Sequence, residues 1–126
     1  MSDPAPSPSP QEEPIRVLFC FGVTPSFFSE TADGRKRVFE ALQEAFSDLR
    51  GRFGVDVLGT IDDDQLMVGS STSWPWICYI LADVPSYRVA CDVCNLLRVT
   101  EVGEHRLFNY LRVEARLGRP LFFGNE

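Results

Sequence analysis

Side chains suited to chemistry are few in this chain. His105, in "GEHRLF", is the sole histidine among 126 residues. Its unperturbed pKa suits proton transfer near neutral pH, which makes it a candidate general acid or base, with a solvated loop histidine as the competing role. Tyr79 is the second candidate proton carrier. Cys91 and Cys94, in "YRVACDVCNLL", have C-x-x-C spacing. Redox chemistry at that spacing needs a thiol pKa lowered at a helix N-terminus, and the pair falls well inside a predicted helix. There the two cysteines join Tyr87, Ala90 and Leu97 in a packing stripe. Metal binding would need two more ligands from Cys20 and Cys78, both on predicted strands, so no metal site is expected. The run Asp62, Asp63, Asp64 offers oxygen ligands without spaced partners and reads as a solvated turn.

No glycine-rich phosphate loop, nucleophile elbow, H-E-x-x-H or paired C-x-x-C motif is present. A haem would need an axial ligand, for which only His105 is available as a histidine, and no cofactor is expected. The aromatic set is more informative. Phe19 and Phe21, Trp74, Trp76 and Tyr79, Tyr87 beside Cys91, and Phe108 and Tyr110 fall on or next to elements that the predicted fold makes neighbours. They are the candidate substrate-binding residues for a flat, apolar ligand, with core packing and subunit contact as alternatives.

The elements that must position these residues follow from periodicity. "IRVLFCFGV" (15–23) is a continuous apolar run rich in β-branched and aromatic residues, the pattern of a strand buried on both faces. Val38, Leu42, Ala45, Phe46 and Leu49 recur at helical spacing between a Thr31 cap and a Gly51 stop. "FGVDVLGTI" (53–61) predicts a half-buried strand, and "QLMVG" after it a brief pairing within a long connection. "WPWICYILAD" (74–83) predicts another apolar strand. Asp83 is placed to cap a helix with Pro85 in its first turn, running through "SYRVACDVCNLLRV". "NYLRVEARLG" alternates as a strand with one polar face, turning Tyr110, Arg112 and Glu114 outward.

The order β-α-β-β-α-β is that of the α+β ferredoxin-like fold, a four-stranded antiparallel sheet with two helices on one face. Strand parity separates Trp74, Trp76, Cys78 and Ile80 from Ile77, Tyr79 and Leu81, so only one group can face the helices. The central strands are apolar on both faces, which predicts a homodimer closed sheet against sheet, a dimeric α/β barrel. Residues 1–14 hold five of the nine prolines, among Ser, Ala and acids. That composition predicts a disordered tail, leaving 15–126 as a single domain.

The chain is 44% hydrophobic and 24% charged, an ordinary globular balance. A formal net charge of -6 with "GRKR" as the nearest approach to a basic cluster argues against a nucleic-acid partner. No apolar run reaches the roughly 18 residues a membrane helix needs. The N-terminus has neither a basic start nor an apolar stretch, so a cytoplasmic, reducing location is expected.

"GVTPSFF" after the first strand, "RKRVFEALQEAF", the acidic "TIDDD", "LADVPSYRVACDVCNLL" and "RLFNYLRVEARLGRPLF" together resemble the darcynin family of dimeric α/β barrel proteins. That group also includes an accessory protein of bacterial indole-acetate catabolism. The similarity spans most of residues 16–122 and is one of pattern. Segments around "QLMVGSSTSWPW" and "RVTEVGEH" depart from it. Related barrels include cofactor-free monooxygenases, isomerases and cyclases of aromatic catabolism and polyketide pathways, and proteins without known catalysis. The resemblance thus implies an organic-cofactor-free enzyme acting on a small hydrophobic metabolite in catabolism or natural-product biosynthesis. A non-catalytic metabolite-binding or accessory protein is the alternative.

Overall fold

The computed structural model describes residues 13–70 and 75–125, which leaves Trp74 and nearly all of the proline-rich tail outside the described residues. Strand β1 (Ile15–Val23) is followed by a single helical turn α1 (Pro25–Phe28) and by α2 (Ala32–Ala45). Thr31 caps α2, its hydroxyl accepting from the Gly34 N–H at 3.0 Å. The expected single helix to Gly51 is broken. Asp48 takes a left-handed conformation (φ 46°, ψ 48°) and its carboxylate accepts from the Gly51 N–H, starting the separate helix α3 (Leu49–Phe53). A short acidic side chain satisfies backbone donors locally and tolerates positive φ, so the sequence stops one helix and caps the next at a single residue.

Strands β2 (Asp56–Asp62) and β3 (Cys78–Val84) come next. "QLMVG" between them is exposed and unpaired, and β3 begins four residues later than its apolar run, after Pro75. The cap of helix α4 (Tyr87–Cys94) is Ser86, which accepts from the Val89 N–H at 3.2 Å. Asp83 instead stays in β3, where its carboxylate meets the Arg16 guanidinium across the sheet at 2.6 Å. After the turn α5 (Leu96–Val99), a hairpin of β4 (Glu101–Val102) and β5 (His105–Arg106) leads through the 3₁₀ turn Leu107–Asn109 into β6 (Leu111–Gly118).

The protein is a mixed α+β structure with a four-stranded antiparallel sheet in the order β2-β3-β1-β6. Paired residues point to the same face, so register assigns both faces of the sheet. Val17, Phe19 and Phe21 of β1, with Ala82 and Val84 of β3, face Leu49 of α3, Ala90 and Val93 of α4, and Leu96. A second part of the core joins Val38 and Ala45 of α2 to Leu97, Leu107, Tyr110 and Leu111. Burying a side chain the size of Phe19 contributes about 1.5–3 kcal/mol. The expected stripe on the second helix is rotated. Ala90, Val93 and Leu97 are buried, while Tyr87 and Cys91 face solvent.

The other face of the sheet carries Leu18 and Cys20 of β1, Tyr79 and Leu81 of β3, Ile61 of β2, and Glu114 and Arg116 of β6. Gly22 continues that row, and a methyl group there would collide with the Pro75 carbonyl and lie 3.3 Å from the Trp76 ring. Only glycine lets the chain entering β3 cross β1 so closely. Among the described residues, no helix is long and apolar enough to cross a membrane.

Candidate functional site

Helix α2 turns Phe39, Leu42, Gln43 and Phe46 toward the β2–β3 side of the sheet, at the i, i+3, i+4 and i+7 positions that share one helical face. They do not close onto it. A groove of about 510 Å³ remains between α2 and the strands, with Phe21, Cys78 and Ile80 as its floor and Thr60, Ile61, Asp62 and Tyr79 along its mouth. β2 is the edge strand of the sheet and is exposed along its whole length, contrary to the half-buried strand its alternation predicts. The register of β2 also slips between Val57 and Gly59, a bulge that re-aims its last residues. Phe21 and Phe46 meet edge to face at 5.3 Å and give the groove an aromatic inner wall.

Gln43, Thr60 and Tyr79 line this groove as neutral polar groups, and Asp62 is its charged one, with Asp63 next to it in the chain. Asp62 pairs with Cys78 across the ladder and so shares its helix-facing side. Asp63 is held by two contacts: its N–H donates to the Ile77 carbonyl at 3.0 Å, and its carboxylate accepts from the Tyr79 hydroxyl at 2.7 Å. Burial pushes the Cys78 thiol above its ordinary pKa, and the charges of Asp62 and Asp63 push it further. A nucleophilic thiolate is disfavoured there. Among the described residues, no Arg, Lys or His lines this groove.

The candidate residues read from sequence fall in several places. Phe21 and Tyr79 belong to the groove, whereas Phe19 is wholly buried beneath the helices. Trp76 is half-buried beside Gly22. His105 lies on the exposed hairpin, its ring 6.0 Å from and edge-on to that of Tyr110. Tyr110 does not turn outward. It precedes β6, is buried, and its hydroxyl donates to Glu30 at 2.9 Å. Desolvation, then the Glu30 hydrogen bond and charge, hold its pKa above the ordinary value. These two residues share a separate polar recess of about 290 Å³ with Arg37 and Glu104.

Cys91, Cys94 and Phe108 border a third hollow of about 280 Å³ between the second helical layer and β6. The Arg98 and Arg112 guanidiniums lie 4.2 and 4.0 Å from the Phe108 ring centre. Burial drives the Cys94 thiol up to about 11, with a smaller push from Cys91. Tyr87 stands out in solvent. Among the described residues, no three of His, Cys, Asp and Glu converge as metal ligands would.

Phe39, Phe46, Gln43, Thr60 and Asp62 did not emerge from sequence reasoning as site residues. The usable signal was the spacing of Phe39, Leu42 and Phe46, a second apolar stripe beside the one through Val38 and Ala45. No family model matches this chain, and no curated protein matches it.

Proposed function

We propose that this chain is a cytoplasmic, ferredoxin-like protein of the darcynin type that pairs through its open sheet face into a dimeric α/β barrel. On this reading each copy binds a small hydrophobic, aromatic or polyketide-like metabolite between α2 and the β2–β3 strands and transforms it without an organic cofactor. The observation that carries the reading is the 510 Å³ groove with an aromatic wall and a carboxylate at its mouth. That volume falls within the range of small-molecule sites, which are mostly apolar with a few placed polar groups.

Positioning supplies most of the catalytic power in such a site, because holding a substrate in one reactive conformation removes entropy from the barrier. Asp62 accepts a proton from an acidic C–H or O–H of the bound molecule and returns it elsewhere, which gives isomerisation or cyclisation with no further reactant. Tyr79, bonded to Asp63, orders the acidic edge beside it. Oxygenation belongs to the same class of reading, with molecular oxygen as the co-reactant. The alternative, a dimeric metabolite-binding or accessory protein, is favoured by one specific observation. His105, the sole histidine, is exposed on the hairpin and does not line the groove.

Calorimetric titration with neutral bicyclic aromatics, combined with mass spectrometry of the recovered ligand, tests the proposal. Wild-type protein is expected to bind such a ligand and Ile80→Trp, which fills the groove floor, to lose at least tenfold in affinity. Binding without conversion of any of the ligands would favour the binding-protein alternative. Equal binding by the filled variant would remove the groove from the account.

A further inference from the structure

We infer that the preferred ligand of the groove is a small aromatic cation, an arylalkyl ammonium, with the ring against Phe21 and Phe46 and the ammonium at Asp62. This inference rests on the groove being the binding site proposed above and adds the sign of the ligand.

Four observations support it. The wall is aromatic, and the faces of such rings attract cations as well as stacking on other rings. The neutral polar side chains of the lining can both donate and accept, so the sign is set by Asp62, the charged group lining the groove, with no basic side chain lining it among the described residues. A carboxylate ligand would therefore lose water at its charged end and meet Asp62 instead of a guanidinium. Asp63 and Asp64 follow directly in the chain, so the acidic character continues outward from the groove. Tyr79 donates to Asp63 and fixes that carboxylate in place, leaving Asp62 as the one that borders the apolar space.

The whole chain carries a formal net charge of -6, which steers cations toward it and anions away. Asp62 is exposed, so the preference should weaken as salt rises.

Three probes with one ring system separate charge from shape: 2-naphthylmethylammonium, 2-naphthylmethanol and 2-naphthoate, titrated calorimetrically at pH 7 and low salt into the full chain. The ammonium is expected to bind about tenfold more tightly than the alcohol, and the carboxylate more weakly than either. Tenfold corresponds to about 1.4 kcal/mol. In Asp62→Asn the ammonium-to-alcohol ratio should fall toward one, and in Asp62→Glu it should persist. Alcohol binding that is lost in Ile80→Trp, together with equal or tighter carboxylate binding, would overturn the charge assignment and leave the groove reading standing. An unchanged ratio in Asp62→Asn would overturn it as well. Failure of all three probes to bind would overturn both.

Discussion

At the level of single residues, the cysteine pair shows how far spacing alone can be trusted. Cys91 and Cys94 are three apart on α4, but Cys91 is exposed whereas Cys94 turns partly inward, where burial drives its thiol to about 11. With so little thiolate near pH 8, roughly one part in a thousand for a pKa of about 11, Cys94 should resist alkylation that Cys91 accepts. Peptide mass spectrometry after brief iodoacetamide treatment checks this, and equal labelling would contradict it. The same shift has a sign for stability. A thiol whose folded pKa is raised from 9.0 to about 11 stabilises the fold fully below pH 9, and that contribution is lost as pH rises toward 11. The placement of this pair inside a helix was legible from periodicity, while the outward aim of Cys91 was not. Likewise Asp62 was visible as a charge but not as a groove residue, because its pairing with Cys78 joins positions far apart in sequence.

At the level of elements, boundaries depended on local capping competition that periodicity does not see. Asp48 both ends the α2 segment and caps α3 from a left-handed conformation, and Ser86 rather than Asp83 starts α4. Asp48→Ala should lose about 1 kcal/mol of capping and incur roughly a further 1–2 kcal/mol at positive φ. Asp48→Asn, which retains both properties, should stay within about 0.5 kcal/mol of wild type. Urea midpoints measure the difference, and an Ala variant as stable as Asn would show that the break has another cause. The long apolar run of β1 was readable because both faces of a central strand are covered or flanked by other residues. The exposure of β2 was not, since it follows from its place at the edge of the sheet, which pairing between distant segments sets.

For the whole molecule, the remaining question is what covers the sheet face turned away from the helices. Leu81 and Ile77, on or beside β3, are 37% and 41% exposed in the single chain, and Ile61 on the edge strand β2 is 57% exposed. Under the proposed pairing, the 14.2 kDa chain runs at twice its mass in light scattering, and Leu81→Arg, placing a charge at that face, gives a folded monomer. A wild-type monomer at micromolar concentration would rule the pairing out. The sequence by itself determined that the chain mixes strands and helices, and the apolar character of the strand Ile15–Val23 at the centre of the sheet. Both depend on hydrophobic period within some twenty residues. Only the tertiary structure decided which aromatic rings are core and which line a groove, and that His105 and Asp62 belong to different recesses. Those facts depend on register and on the standoff between α2 and the sheet, which are set by packing between segments distant in the chain.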